Sequence, residues 1–306
     1  MKIRALLLNC FLTVAGKLPL RANHRLGTWL GLALYRFSKP NRRITELNVE
    51  LCWPELSLEQ QRNLVRKSLI EDGKGATETA FFWRQPTDKV LSKIRHIHGL
   101  ELFDRAIEQD QGVLLAAPHL GAWELLCQYL STRMSCAMLY RQPRQPEFEQ
   151  IIIKARTRLG ADLIRADARG VRQLFRAAKQ GKLIGILPDQ QPKKGTGEFA
   201  PFFGHPALTM VLYSKLAART SASMLVAWAE RLDRSAGYDL HFAAVDEAVR
   251  SDNLAQSTAA LNATIEHQVR RCPEQYQWGY KRFDWQPDGS RQYQLSATPK
   301  NRSEQN

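Results

Sequence analysis

Short apolar runs alternate with segments of helical periodicity along most of this chain. Six apolar runs are typical of buried strands, and they span 94–98, 113–117, 137–140, 183–187, 224–229 and 240–245. Segments with helical spacing separate and follow these runs, at 100–109, 122–133, 147–159, 169–180, 207–219 and 253–271. Strands that alternate with helices of about 10–15 residues are joined by crossover connections, so the pattern predicts an α/β sheet.

Helices are also predicted before the first strand. Ser57 and Gln60 have the spacing of a capping box, in which each side chain bonds the backbone N–H of the other residue, so a helix is predicted at 58–71. A second helical segment, unusually rich in aromatic residues, follows at 75–84. The glycines and phenylalanines of 195–209 predict a flexible apolar loop, although core packing explains the same aromatic residues equally well.

The pattern favours a single folded domain. We find no internal repeat, and no linker rich in Pro, Gly or Ser divides the chain. We therefore predict one α/β domain over 41–290. A separate N-terminal segment at 1–40 precedes it, and a polar, disordered tail at 291–306 follows it.

The first 40 residues combine apolar runs with flanking cations. The apolar run at 5–16 follows Lys2 and Arg4, and a second run lies at 28–37. Neither run reaches the roughly 18–20 apolar residues that a simple membrane-spanning helix needs. Nine Lys and Arg against two Glu give the first 50 residues a net charge of +7.

Three interpretations of this N-terminal segment compete. The first is a cleaved signal peptide, for which 13–15 is a passable cleavage site, but the chain beyond that site is again basic and apolar. The second is a buried core helix, which has little use for so many cations. We favour the third, an uncleaved membrane-associated helix whose cations face anionic headgroups.

Charge and cysteine content narrow the class of protein further. The chain has 306 residues and a net charge of +14, and the block at 154–182 carries nine Lys and Arg against two Asp. Within that block Arg169, Arg172, Arg176 and Lys179 fall on one face of the predicted helix. Two basic blocks indicate two places where anions are bound. The five scattered cysteines contain no CxxC pair, which argues against a disulfide scaffold or a zinc ribbon.

Candidate chemistry appears where the strand at 113–117 ends. Pro118 stops the strand and Gly121 loosens the turn before the next helix. His119 and Glu124 are five residues apart, about 140° around an ideal helix, so they do not share a helical face. They can meet only if the histidine precedes the helix and the glutamate lies in its first turn.

That arrangement would form a general base. It places an imidazole and a carboxylate at the carboxyl end of a strand, where open α/β sheets bind ligands. A carboxylate bonded to one ring nitrogen fixes the tautomer and makes the other nitrogen a base for a hydroxyl group. The alternative is a structural histidine, which is the interpretation we give to His96 and His98, while His205 in a Gly/Pro-bounded turn is a weaker candidate for the base.

Asp189 stands in the same position relative to another strand. It follows the run at 183–187 and Pro188, as His119 follows its own strand and Pro118. Two polar groups displayed after strand–proline ends predict neighbouring loops over one cleft. The alternative for Asp189 is an ordinary turn or helix-cap aspartate.

Several segments in a fixed order resemble one protein family. HLGAWE at 119–124 is the HxxxxE form of the HxxxxD/E acyltransferase motif, which alone is a weak signal. Further matching segments are NVELCWPEL at 48–56, LYR at 139–141, LPDQQPKKGTGEFAPFFGHPALT at 187–209 and PEQYQWGYKRF at 273–283. The ordered set, covering residues 1 to 285, resembles the lipid A late acyltransferases of Gram-negative bacteria.

The resemblance implies a fold and an activity. The fold is a single glycerolipid-acyltransferase-like domain with a mixed sheet flanked by helices, held at the cytoplasmic face of the inner membrane. The implied reaction moves an acyl chain from acyl carrier protein, or alternatively coenzyme A, to a hydroxyl of a lipid A precursor, without metal or cofactor. His119 is the implied general base, and Glu124 orients it. The implied substrate-binding residues are Arg141, Arg156, Arg158 and Asp189.

Other functions stay open at this point. The same machinery acting on a lysophospholipid or an aminolipid is the main alternative, because the acceptor is not written in HLGAWE. A basic nucleic-acid-binding protein is disfavoured, since no helix-turn-helix, zinc-finger or RNA-binding signature accompanies the charge. A noncatalytic lipid-binding protein would require the His119/Glu124 pair to be incidental.

Overall fold

The structure is a computed structural model that describes residues 3–143 and 145–293. The helices are α1 (Ile3–Lys17), α2 (Leu20–Phe37), α3 (Lys39–Cys52), α4 (Leu58–Arg84), α5 (Thr87–Leu91), α6 (Leu100–Glu108), α7 (Trp123–Arg133), α8 (Pro146–Arg156), α9 (Ala168–Lys179), α10 (Leu212–Arg219) and α11 (Leu254–Arg271). The strands are β1 (Ile94–His98), β2 (Val113–Ala116), β3 (Cys136–Tyr140), β4 (Asp162–Arg165), β5 (Leu183–Ile186), β6 (Gly197–Phe202), β7 (His205–Met210), β8 (Ser223–Arg231) and β9 (Tyr238–Ala244).

Seven of these strands form one mixed sheet in the order β1-β9-β8-β2-β5-β3-β4. Its neighbouring strands are parallel except for the antiparallel pair β8–β9. Every residue of the central strands β2 and β5 is buried, because helices cover both faces of the sheet. The α/β fold with a mixed sheet flanked by helices, expected from the sequence, is confirmed.

Two apolar layers sandwich the sheet. Successive residues of β2 point to opposite faces: Leu114 packs with α9, α10 and α11, whereas Leu115 packs with α6 and α7. This alternation explains why the strand reads as a continuous apolar run without any polar position. The carboxyl end of β2, and with it the site, therefore lies near the middle of the sheet.

Each of the six predicted strands is present, but the structure contains strands that the sequence pattern did not reveal. The edge strand β4 is only four residues long and carries polar residues at both ends, so it gave no apolar signal. The predicted loop at 195–209 is instead the hairpin β6–β7, and α10 begins at Leu212, five residues later than predicted. Two-residue turns of this kind need positive φ, which Phe203 and Gly204 both adopt.

Before the sheet, the two helices predicted at 58–71 and 75–84 form one 27-residue helix, α4. The capping box at its start is confirmed, since Ser57 and Gln60 bond each other's backbone N–H. The single N-terminal helix that we expected is two helices, α1 and α2, which are separated at Pro19. None of the helices within the described residues is both long and apolar enough to cross a membrane.

Close backbone contact fixes α2 against α4. A Cβ atom added to Gly73 would lie 2.2 Å from the carbonyl oxygen of Gly27 and 2.5 Å from the nitrogen of Gly31. These glycines therefore let the two helix backbones touch, and one face of α2 belongs to the core. The exposed surface of α2 also carries large apolar side chains: Trp29 is 72% exposed and Phe37 is 80% exposed.

A buried ionic cluster ties the same helices to the sheet. Glu78 on α4 accepts hydrogen bonds from Arg231 (2.8 Å), Tyr238 (2.8 Å) and His24 (3.2 Å). Burial raises the pKa of the Glu78 carboxyl, but the charge and hydrogen bonds of Arg231, helped by His24, outweigh it and lower the pKa to about 2. The charged cluster therefore links α2 and α4 to β8 and β9.

The end of the domain is also packed. Tyr293 is buried, and its hydroxyl donates to the side chain of Asn48 on α3. It belongs to the segment 291–306 that we predicted to be a disordered tail. The remainder of that tail, 294–306, lies outside the described residues.

The helix contact at Gly73 leads to a stability prediction. Gly73→Ala is expected to destabilise the fold by about 1–3 kcal/mol, because the added methyl group has backbone atoms on its far side that cannot move independently. Gly75→Ala is the matched control: its Cβ would have only the Arg231 side chain at 3.8 Å, so the better helix propensity of alanine is expected to stabilise by up to about 1 kcal/mol. Thermal or denaturant unfolding measures both, and equal effects would contradict the close packing.

Candidate active site

Close contacts on two sides fix the backbone of the loop between β2 and α7, which carries His119. Pro118 ends the strand, and Gly121 adopts a positive φ of 63°. A Cβ at Gly121 would lie 1.9 Å from the carbonyl oxygen of Ala229 on β8, so only glycine fits this crossing. On the other side, the His119 carbonyl accepts a hydrogen bond from the backbone N–H of Gln277 at 3.1 Å. The histidine precedes the helix, as the sequence predicted.

Asp189 binds His119 at two points. Its Oδ2 accepts the backbone N–H of His119, and its Oδ1 lies 2.9 Å from the ring Nδ1. The two residues meet because β2 and β5 are parallel neighbours in register, with Ala116 beside Ile186, so the loops that follow them are adjacent. The predicted proximity of these two loops over one cleft is confirmed.

The state of Asp189 determines the state of the imidazole. Burial raises the pKa of the Asp189 carboxyl, but the charge of His119 and its two hydrogen bonds more than compensate, so the pKa ends below its usual range. An ionised carboxylate only accepts hydrogen bonds, so Nδ1 of His119 carries the hydrogen. The lone pair of the neutral ring is therefore on Nε2.

Glu124 occupies the first turn of α7, but the hydrogen bond that we predicted from it to His119 is not formed. Its carboxylate accepts from the indole N–H of Trp83 at 3.0 Å and from two nitrogens of Arg156. Both oxygens of Glu124 are thereby satisfied, while Asp189 already holds Nδ1 of the histidine. The expectation that Glu124 bonds and orients His119 is thus wrong in its geometry.

Glu124 and Arg156 form a buried ion pair near the histidine. Burial raises the pKa of Glu124, yet the charge and hydrogen bonds of Arg156 lower it below its usual value, and His119 contributes in the same direction. Burial lowers the pKa of Arg156, but Glu124 outweighs burial and raises it. Both groups are therefore charged, and the carboxylate interacts electrostatically with the imidazole without touching it.

The arginines that we predicted to bind substrate have different positions. Arg156 and Arg141 line the cavity beside His119. The guanidinium of Arg158 instead donates to the carbonyl oxygens of Trp83 and Gln85 and to the side chain of Gln128. Arg158 is therefore engaged in joining α4 to α7, and substrate binding by this residue remains a prediction.

A cavity of about 610 Å³ opens in front of His119, at the carboxyl ends of β2, β3 and β5. Its apolar wall includes Leu115, Leu126, Leu130 and Met138. The polar residues that line it are His119, Glu124, Arg141, Arg156, Gln190, Gln191, Lys193 and Lys215, among others. The cavity thus combines an apolar wall, an imidazole and several cations.

Some residues of the site gave no usable signal in the sequence. Trp83 precedes Glu124 by 41 positions and lies in the aromatic-rich helical segment at 75–84, so only the tertiary contact reveals it. Gln190 directly follows Asp189 and reaches Nε2 of His119 at 3.2 Å. Its place in the LPDQQ segment was the one hint. No group of three or more His, Cys, Asp or Glu side chains in the described part of the chain is arranged to hold a metal ion.

An α/β sheet with a histidine at the head of an apolar cavity is an arrangement found in enzymes that act on substrates with an apolar part. Residues 2–284 match the model of the bacterial lipid A biosynthesis acyltransferase family, and the chain belongs to that family. It is consequently an enzyme that transfers acyl groups.

Named relatives support the same class. The chain is 27% identical to the lipid A biosynthesis lauroyltransferase of Escherichia coli K12 over 274 residues, which are 89% of each chain. It is 29% identical to the lipid A biosynthesis palmitoleoyltransferase of the same organism over 266 residues, covering 86% of this chain and 85% of that protein. The lipid A biosynthesis myristoyltransferase of that organism is 23% identical over 262 residues, with 83% and 77% covered.

The contact between Asp189 and His119 leads to a spectroscopic prediction. When its imidazole is neutral, His119 is expected to carry the ring hydrogen on Nδ1. Asp189→Ala is expected to shift the population toward the Nε2–H tautomer, because the acceptor of that hydrogen is removed. Two-bond ¹⁵N–¹H correlation spectra of histidine-labelled protein measure the tautomer.

His205 is the internal control in the same spectra. Its Nε2 lies 2.9 Å from the carbonyl oxygen of Leu51, so it is expected to keep the Nε2–H tautomer in both proteins. An unchanged His119 pattern in Asp189→Ala would contradict the assigned role of the carboxylate.

Proposed function

We propose that this protein transfers a fatty acyl chain from acyl carrier protein to a hydroxyl of a lipid A precursor. The relatives' names describe acyl transfer in lipid A biosynthesis. The observation that carries the proposal is His119, which is anchored at Nδ1 by Asp189 and stands at an apolar cavity of about 610 Å³. The cavity would take the acyl chain, and the unprotonated ring nitrogen Nε2 would take the proton of the hydroxyl.

The proposed reaction is direct transfer without a covalent enzyme intermediate. The proton of the acceptor hydroxyl moves to Nε2 of His119 while the hydroxyl oxygen bonds to the thioester carbonyl carbon. The tetrahedral intermediate then loses its C–S bond, and the imidazolium returns the proton to the departing thiolate. Asp189 keeps the ring oriented and stabilises its charged form. No step requires a metal or a cofactor.

In this proposal Glu124 has a different role from the orientation of His119 that the sequence suggested. It bonds Arg156 rather than His119, so it is a positioning residue that fixes the guanidinium beside the cavity. Glu124 takes Nε and one side of Nη2, so a phosphate or carboxylate ligand would be bound by the remaining N–H donors of Arg156, which are held in one orientation. Arg156 and Arg141 would in this way bind anionic groups of the acceptor, together with Lys193 and Lys215 at the same cavity.

The basic face of α9 supports acyl carrier protein as the donor. Arg169, Arg172, Arg176 and Lys179 are exposed on this helix, and the residues that begin it, Asp167 and Val171, line the cavity. A strongly acidic protein docked on this face would bring its thioester-bearing arm directly to the cavity. Coenzyme A is smaller than a carrier protein and would not contact a basic surface along an entire helix.

Exposed apolar side chains support a location at the cytoplasmic face of the inner membrane. Val14 and Leu7 on α1, with Trp29 and Phe37 on α2, are exposed, although a folded domain normally buries such residues. Basic residues that are also exposed on α2 include Arg21 and Arg25. Apolar side chains flanked by cations are typical of a surface that inserts into the headgroup region of anionic lipid.

The first test of the function is transfer activity. His119→Ala is expected to lower kcat by about 10²–10⁴-fold in transfer from acyl carrier protein to a lipid A precursor, because the general base is lost. His96→Ala is the matched control, since His96 is exposed on the edge strand β1 and its ring contacts Asp239. Mass spectra of lipid A from cells should show one acyl chain missing in the absence of the active protein.

The outcomes of that experiment separate the alternatives. Near-wild-type transfer by His119→Ala would contradict the mechanism. Unchanged lipid A, with altered lysophospholipid or aminolipid instead, would assign the other acceptor.

Reversing charge with Arg172→Glu and Arg176→Glu is expected to raise the KM for the carrier-protein donor about tenfold. An equal rise for the coenzyme A thioester would contradict docking on α9.

The second test concerns the membrane surface. Trp29→Glu is expected to weaken binding to vesicles that contain anionic phospholipid, because a large exposed ring is replaced by a charge that the lipid repels. Leu58→Glu is the control, since Leu58 is exposed at the start of α4, away from α1 and α2 in sequence. Vesicle flotation measures both variants, and equal binding by Trp29→Glu and the unaltered protein would refute this surface.

A further inference from the structure

The side-chain amide of Gln190 lies within hydrogen-bond distance of Nε2, the ring nitrogen of His119 that carries the lone pair. Its Nε2 is 3.2 Å from Nε2 of the imidazole and 3.2 Å from Oε1 of Gln277. Because Asp189 places the ring hydrogen on Nδ1, the imidazole Nε2 can only accept, and so can the amide oxygen of Gln277. Both N–H bonds of the Gln190 amide therefore have an acceptor, and Gln277 fixes which end of the amide faces the histidine.

The backbone around His119 offers no competing donors in the loop itself. The N–H of His119 goes to Asp189, that of Leu120 to Pro118, that of Gly121 to Gln275 and that of Ala122 to Ala229. All four amides of 119–122 are thus donated within the protein. When the acceptor hydroxyl attacks a thioester, however, the carbonyl oxygen of the thioester becomes negative and needs a hydrogen-bond donor.

Binding of the acceptor hydroxyl changes what Gln190 can do. The single lone pair of Nε2 cannot accept from Gln190 and from the hydroxyl together, so the hydroxyl displaces the Gln190 N–H, which is then available when the thioester oxygen becomes negative. Gln190 lines the same cavity, and it remains held by Gln277. A donor within hydrogen-bond distance of the base is also close to the carbonyl that the activated hydroxyl attacks.

We infer that Gln190 is a further catalytic residue, whose side-chain amide caps the base in the free enzyme and donates to the oxyanion of the tetrahedral intermediate. Gln277 is its positioning residue. This inference rests on the proposed acyl transfer at His119, and it adds a group that the reaction requires. No bond to Gln190 forms or breaks; it supplies only a hydrogen bond.

The test uses one substitution at two positions. Gln190→Glu keeps the shape of the side chain but replaces the donor by an acceptor, and it is expected to lower kcat by about 10²–10³-fold with little change in KM, because the lost contact exists only in the transition state. Gln190→Leu is expected to behave similarly. Gln277→Glu keeps the acceptor oxygen and should stay within a few-fold of the unaltered enzyme, whereas Gln277→Leu should lose about tenfold in kcat.

Opposite results for glutamate at the two positions would support the inference, because a side chain that only fills space does not distinguish donor from acceptor. A wild-type kcat in Gln190→Glu, or a raised KM with unchanged kcat, would overturn it. Thermal unfolding of each variant monitors folding, and if the Gln190 variants are unstable, the Gln277 pair decides the question on its own.

Failure of the proposed function is visible separately. Every variant is assayed with a lipid A precursor and with water as the acceptor of the acyl group. If the unaltered enzyme acylates no lipid A precursor, the proposed acceptor is wrong. Hydrolysis of the thioester passes through the same kind of oxyanion, so it must still lose rate in Gln190→Glu and Gln190→Leu; if it does not, the role of Gln190 is wrong.

Discussion

The double hydrogen bond between Asp189 and His119 is the constraint on which the site depends. It joins two loops that follow neighbouring parallel strands, and each loop has a proline near its start, Pro118 or Pro188. Because one carboxylate holds both the backbone and the ring of the histidine, it sets the position and the tautomer together. That single contact also sets the direction of Nε2 of His119, and so allows Nε2 to meet the side-chain amide of Gln190.

A second carboxylate serves the site at one remove. Glu124 has the motif position that suggests contact with His119, yet its oxygens are saturated by Arg156 and Trp83. The pair places a charged guanidinium at the cavity, and its hydrogen bonds offset part of the desolvation cost, because both carboxylate oxygens and two guanidinium nitrogens are bonded. The two carboxylates thus have separate contacts: Asp189 holds the imidazole of His119, and Glu124 holds the guanidinium of Arg156.

The N-terminal helices connect the domain to its surroundings. Glycine contacts hold α2 on α4, and the buried Glu78–Arg231 pair links them to the sheet, so this region is rigidly part of the fold. Helices α1 and α2 also carry exposed aromatic and aliphatic side chains. A segment that reads simply as apolar and basic is therefore two-sided, with one face for the core and one for its environment.

The sequence by itself determined the α/β class, the six principal strands, the capping box of α4 and the placement of His119 and Asp189 after strand–proline ends, since these depend on local periodicity and turn chemistry. It did not reveal the edge strand β4 or the hairpin β6–β7, whose signals are short or depend on positive φ at Phe203. Only the tertiary structure decided which carboxylate reaches the histidine, that Arg158 is engaged elsewhere, and that Gln190 meets the base. Those choices depend on strand register and on contacts between residues tens of positions apart, which no local pattern encodes.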